Sequence, residues 1–293
     1  MNYQTESDLA WETFGSSQPI MHKIGTNLYQ SICKIQGKEQ VQKYKKEEGT
    51  YITFFSPTML EMDDVVFGEL AHCIANELRQ MLIKHVTVPS CDRSVLVVGL
   101  GNPFMTVDSL GPETVKNIRA TRNHPQKTND SFSISTLTPN VGGCTGIESI
   151  ELIQATVEQI HPQAIITIDS LSAGSCERLA STVQLTDAGI SPGSGGGRTH
   201  GKLNASTVGI PVFSLGIPTI VRSTNLLIEA LKKGRMTDIT PQMKEMLENH
   251  HAYFIMPREL DLVIKSGALL LSSAINQLCL REGEYSSHSS HTV

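Results

Sequence analysis

Two short apolar runs, Val95-Leu96-Val97-Val98 and Ala164-Ile165-Ile166-Thr167-Ile168, most constrain what this chain can fold into. Both are rich in β-branched residues and too short for helices, and they read as strands buried on both faces of a parallel sheet. From residue 95 onward such runs alternate with helical patterns. Pro112 suits the first turn of a helix reaching about Arg119. Thr145 and Glu148 form a capping-box pattern ahead of Ile150, Leu152, Ile153, Val157 and Ile160. Short strands are expected at Val183-Gln184-Leu185 and at Val212–Gly216, the latter ended by Ile217-Pro218. Later helices are expected at 223–233, 241–249 and 257–280. The alternation predicts an α/β fold, a mostly parallel twisted sheet with helices on both faces.

Upstream, Ile24 to Ile35 and Thr50–Phe55 read as strands. After a cap at Asp63, Val66, Leu70, Ile74, Leu78 and Leu82 recur every fourth residue as one apolar helix face. Residues 1–20 and 284–293 read as loosely ordered. The 293 residues, 39% hydrophobic and 18% charged, suffice for a folded core. The net charge of −5 argues against a non-specific nucleic-acid binder. The six cysteines are scattered, and Met1 to Ser17 lacks the apolar core of a secretion signal. Free thiols in a reducing compartment are therefore expected. No apolar run approaches a membrane span on this reading, so a soluble intracellular protein is expected.

The chemistry centres on Asp108 and Asp169, each just past a strand and beside Gly and small residues. Ligands of open α/β sheets bind beyond the carboxyl ends of the strands. Two carboxylates there could share one proton and do acid–base work on a water. A lone Asp in such a place also serves as a helix cap or turn residue. Asp187, after Val183–Leu185, reads as a turn residue or a third carboxylate. His200 reads as a solvated loop residue or a metal ligand, and His250-His251 as structural. Gly99-Leu100-Gly101 lacks the third glycine of a dinucleotide fingerprint, since Phe104 holds its place. Ser149, Ser170 and Ser172 show no G-x-S-x-G elbow, and no H-E-x-x-H is present. The Gly-rich stretch 189–201 reads as a surface loop or as a lid beside the carboxylates.

Taken together, the motifs resemble one family, the germination proteases of spore-forming Firmicutes. The matching segments include Val97–Asn102, Asp108–Pro112, Pro139–Glu148, Ile168–Leu171, Ser175–Leu179, Asp187–Gly195 and Leu215–Thr219. The resemblance implies an endopeptidase that initiates degradation of small acid-soluble spore proteins during germination. It implies an aspartic-type mechanism unlike that of pepsin, with the essential pair on Asp108 and Asp169 and no cofactor. It also implies a fold similar to hydrogenase-maturation endopeptidases, in which related acids bind a metal. A metal-dependent peptidase using Asp108 and Asp169, and a non-catalytic binding paralogue, are the rival readings. The resemblance further implies a homotetramer in the cytoplasm of the forespore and spore core, with no direct nucleic-acid or membrane partner. Residues 1–8 then form a propeptide, removed by self-cleavage between Asp8 and Leu9 in mild acid and anchored by Tyr3, and 9–293 a single peptidase domain. Ser170, Gly174 and Ser191 stand where the family carries Ala, Arg and His.

Overall fold

The computed structural model describes residues 6–57, 59, 64–89, 92–123, 131–191, 201–234, 240–243, 245 and 253–279. In chain order the strands are β1 His22–Gly25, β2 Leu28–Ile35, β3 Gly49–Phe55, β4 Ser94–Gly99, β5 Ser133–Leu137, β6 Ala164–Ala173, β7 Thr182–Thr186, β8 Val212–Arg222 and β9 Phe254–Ile255. The helices are α1 Ala10–Thr13, α2 Gly37–Tyr44, α3 Asp64–His85, α4 Leu110–Lys116, α5 Gly142–Thr145, α6 Ser149–Ile160, α7 Ala205–Val208, α8 Ser223–Lys233 and α9 Leu260–Asn276.

One sheet runs in the order β1-β2-β3-β7-β8-β6-β4-β5, with β9 on the end of β8. The α/β class expected from the sequence is the one observed. Strands β8-β6-β4-β5 are parallel, and they are the part the strand–helix alternation described. The other half, β1-β2-β3-β7-β8, is antiparallel. It enters because β7 runs back beside β8 and pairs on its far side with β3.

The two faces differ in chemistry because side chains alternate along a strand. On one face Ile52, Leu185, Leu215 and Ile168 lie in register across β3, β7, β8 and β6. They join a core with α3, α4 and α9, to which Leu70, Ile74, Leu78, Leu82, Leu110, Val263 and Leu271 contribute. The opposite face is apolar under α6, through Leu96, Val98, Ile153, Ile165 and Val212, and under the N-terminal segment, where Ala10 meets Cys33 and Tyr51 and Leu9 meets Leu171 and Ala173. Between these patches it is polar. Tyr51, Thr186, Ser214 and Thr167 form one registered row. Ser31, Thr53, Gln184, Gly216 and Asp169 form the next.

Local differences from the sequence reading have physical causes. The cap of α6 is one step later, with Glu148 and Glu151 bonding each other's backbone, while Thr145 ends α5. Strand β8 continues through Pro218 to Arg222, since the irregularity opposite Leu171 and Ser172 absorbs the missing N–H. From Glu6 the N-terminal segment is packed rather than loose. Leu9 and Ala10 are fully buried, and Arg178 stacks between Trp11 and Phe55 at 4.2 and 4.1 Å. Contrary to the sequence reading, Leu260–Cys279 is long and apolar enough to cross a membrane by length and composition. In the fold its Val263, Ile264, Leu271 and Ile275 belong to the core. Cys33, Cys73, Cys144, Cys176 and Cys279 are free thiols. Tyr3, Asp63, Cys91, residues 192–200, 246–252 and 284–293 lie outside the described residues.

Leu78 sits at the centre of the α3 face with no exposure. Leu78→Ala is expected to cost about 2–5 kcal/mol in denaturant unfolding. A loss below about 1 kcal/mol would show that α3 does not carry the core.

Candidate active site

The site begins where β4 leaves β6. The last β4 partner is Gly99 against Ile168, and β6 runs on from Asp169 to Ala173 along an edge β4 no longer covers. Beyond Gly99 the Leu100 N–H still donates to Ile168 O at 2.9 Å. The chain then turns at Gly101, whose φ of +109° is one that L side chains rarely adopt. A Cβ there would lie 2.0 Å from Asp108 O. Gly111 is equally constrained, since a Cβ would lie 2.3 Å from Leu100 O and 2.6 Å from Ile168 O. These glycines let the loop fold back so that the turn Thr106–Asp108 packs beside β6 and β8. Thr219 Oγ1 fixes it by donating to Val107 O at 3.1 Å.

Asp169 lines a cleft of about 360 Å³ with Ser170, Ser172, Lys46, Gln184, Gly216, Ser191 and the Glu6–Asp8 segment. It is 6% exposed, and its Oδ1 accepts the Ser170 N–H at 2.8 Å. Burial pushes its carboxyl well above the usual range, and the charges of Asp108 and Asp8 push it further; the Ser170 bond opposes them. Asp108 is half-buried and outside that lining, and its Oδ2 accepts the Asn102 N–H at 2.9 Å. Burial raises its carboxyl too, against that hydrogen bond. The fold thus brings the two predicted aspartates into one electrostatic unit, with Asp169 the better proton holder.

The N-terminal segment occupies the open edge of β6. The Asp8 N–H donates to Ser172 O, and Ser172 N–H to Asp8 Oδ2, both at 2.8 Å. Two residues on, Gly174 N–H donates to Glu12 Oε2 at 2.6 Å. Asn225 pairs with the Glu6 backbone through both ends of its amide, and Arg222 Nε lies 3.1 Å from Glu6 Oε2. Lys46 Nζ donates to Ser7 O at 2.8 Å and Asp8 O at 3.0 Å. Gln184 Nε2 donates to Asp8 O at 3.1 Å, and its Oε1 accepts the Ala10 N–H at 2.7 Å. Burial lowers the Lys46 ammonium from its ordinary value, while the Asp8 and Glu12 carboxylates hold it up.

Asp187 is a turn residue: its Oδ1 accepts the Thr50 N–H at 2.6 Å, and its Oδ2 lies 3.6 Å from His85 Nε2. Ser149 donates to Asn140 O. The Oγ atoms of Ser170 and Ser172 are buried without a hydrogen-bond partner. The Gly-rich stretch is described only at its feet, where Ile190 and Leu203 form an antiparallel bridge beside the cleft. His200 and His250-His251 lie outside the described residues. Among the described residues no three His, Cys, Asp or Glu side chains converge. Sequence reasoning missed Lys46 and Gln184. Lys46 hides in the charged run Lys43–Glu48, and Gln184 shows itself only as the one amide amid the residues of β7.

A family model described as germination protease matches residues 25–245. A germination protease of Caldanaerobacter subterraneus is 35% identical over 81% of this chain and 80% of its own length. One from Priestia megaterium is 38% identical over 66% of this chain and 53% of its own, so the aligned part spans about half of that relative. One from Clostridium perfringens is 30% identical over 83% and 81%.

A carboxyl raised in the folded state above the unfolded value of about 3.9 stabilises the fold only while protonated. That contribution is complete below the unfolded value and is lost as pH rises through the folded one. Asp169→Asn should therefore match the wild-type Tm near pH 4 and exceed it at pH 7. Parallel Tm curves for the two proteins would show that Asp169 carries no extra proton.

Proposed function

This chain belongs to the germination protease family and is an endopeptidase of spore germination, and we propose that it degrades small acid-soluble spore proteins by acid–base hydrolysis on Asp108 and Asp169. The observation that supports this reading is a buried carboxyl, Asp169, raised by burial and by the charge of Asp108, at a cleft that the chain's own N-terminal segment lines. Asp108, the less perturbed member, takes a proton from the attacking water. Asp169 holds the proton that the breaking bond needs. The charge of Asp108 raises Asp169, so in this reading the two titrate as a pair and the roles belong to a single shared-proton state.

We extend the proposal to the chain's own N-terminus. Asp8 lines the cleft together with Asp169, and self-cleavage after it would release residues 1–8 and open the edge of β6 to a substrate. The main-chain bond from the Asp8 N–H to Ser172 O engages a group of β6 that a substrate strand could use in the same way. We further propose that the enzyme works as a homotetramer in the forespore and spore core and needs no cofactor. The competing metal-dependent reading rests on the same two carboxylates, and chelation separates it.

Cleavage of a small acid-soluble spore protein, read by mass spectrometry, tests the reading. Asp108→Asn and Asp169→Asn are each expected to lose about 10²–10⁴-fold in kcat. The wild-type rate should follow a bell: the acid limb protonates Asp108, and the alkaline limb strips Asp169. The alkaline limb lies above the ordinary carboxylate range because Asp169 is raised. Wild type should lose Met1 to Asp8 in mild acid, and both variants should keep it. Near-normal cleavage by either variant, or activity abolished by a chelator and restored by a metal, would contradict the mechanism.

A further inference from the structure

We propose that Lys46 and Gln184 are the donor pair that holds the carbonyl oxygen of the bond being cut, both in Asp8–Leu9 and in substrates cleaved in trans. The proposal rests on the reading of Asp108 and Asp169 as the hydrolytic pair. Its own observation is the Asp8 carbonyl, which accepts from Lys46 Nζ at 3.0 Å and from Gln184 Nε2 at 3.1 Å. Gln184 also accepts the Ala10 N–H at 2.7 Å, so one amide brackets the Asp8–Leu9 bond on both sides.

Two features of the fold place this pair in the cleft that Asp169 lines. Gln184, Gly216 and Asp169 lie in one registered row across β7, β8 and β6. Gln184 and Asp169 thus stand two strand spacings apart, about 10 Å, on one face of the sheet. Between them is a residue with no side chain. A Cβ on Gly216 would lie 2.6 Å from Leu171 Cγ and 2.8 Å from Asp169 O, so the Leu171 side chain sits over this position and only glycine fits beneath it. Lys46 arrives from the other side. Helix α2 ends in Lys45 with a left-handed φ of 52°, and the next residue turns its ammonium into the cleft.

The chemistry follows from what the pair touches. Water oxygen bonds to the Asp8 carbonyl carbon, and the π electrons move onto the carbonyl oxygen. There the Lys46 ammonium and the Gln184 amide stabilise the new charge, as preorganised donors do in an oxyanion hole. Asp108 takes the proton of the water. Asp169 need not protonate the carbonyl oxygen and gives its proton to the Leu9 nitrogen as the C–N bond breaks. The oxyanion collapses to the new carboxyl group, and the single proton of the pair has moved from Asp169 to Asp108. The hydrogen bonds of Lys46 and Gln184 here go to main-chain atoms, the carbonyls of Ser7 and Asp8 and the N–H of Ala10, groups that any substrate strand also offers. The Asp8 carboxylate adds charge beside Lys46, a contribution that an acidic residue before the cut would supply in a substrate.

The rival role for the pair is to hold the N-terminal segment in place, and the experiment separates the two. Full-length Lys46→Met, Lys46→Arg, Gln184→Glu and Gln184→Met are compared with wild type for kcat and KM on a small acid-soluble spore protein. Release of residues 1–8 is followed by intact mass, and folding by Tm. Lys46→Met and both Gln184 variants are expected to lose about 10²–10³-fold in kcat with KM changed only a few-fold. Lys46→Arg, which keeps a cationic donor, should recover part of the loss. Unchanged kcat on the spore protein in folded Lys46→Met and in either folded Gln184 variant would overturn the proposal, even if release of residues 1–8 changes. Asp169→Asn run alongside isolates the premise: normal cutting by that variant defeats the carboxylate pair, while a kcat loss at Lys46 and Gln184 still stands. If wild type cuts the spore protein but keeps residues 1–8, self-cleavage fails and the kcat values alone decide the donor pair.

Discussion

The site depends on a mismatch in length between two neighbouring strands. Strand β4 pairs with β6 as far as Ile168, and β6 continues from Asp169 to Ala173 beside β8 alone. An uncovered strand edge presents unpaired N–H and C=O groups, which a folded protein must cover or use. Here the chain does both. The first residue beyond β4 is the buried carboxylate Asp169, and the edge after it takes the N-terminal segment at Ser172 and Gly174. The turn that ends β4 also brings Asp108 back to β6. One early strand ending therefore creates the edge, the cleft and the carboxylate pair.

The polar face of the sheet makes the pair chemically useful. A carboxyl placed among Ile168, Leu215 and Leu185 would be a neutral acid without access to water. One register step away it joins Gln184 and the cleft. Burial still works against its charge, and Asp108 and Asp8 add to that. Both push the carboxyl above the ordinary range, the direction that the proposed proton donation near neutral pH requires. The cost in folding free energy is carried by the apolar face, where α3 and α9 pack against the same strands.

The parallel half of the sheet and the two aspartates were legible in the sequence for one reason. Strands buried on both faces leave continuous β-branched runs, and the residues at their ends stand out against them. The antiparallel half was less legible. Thr182–Thr186 alternates polar and apolar residues because one of its faces is the site, and nothing local says that it pairs with Gly49–Phe55 more than a hundred residues away. Lys46 was hidden for the same reason: its place in the cleft comes from α2 docking there, while its neighbours form an ordinary charged run. The N-terminal segment was misread as loose because its anchors, Asn225, Ser172, Gln184 and Arg178, all lie far along the chain. Pro218 read as a strand end, and only the irregular pairing with β6 lets β8 pass through it.

The central claim is that Asp169 holds a proton because of its burial and because of Asp108. Titration of the aspartate side-chain carboxyl carbons by ¹³C NMR measures this directly. In wild type, the Asp169 carbon should remain protonated above the ordinary carboxylate range, and Asp108→Asn should move its midpoint down. An Asp169 carbon that titrates with the exposed carboxylates, or whose midpoint is the same with and without Asp108, would contradict the account.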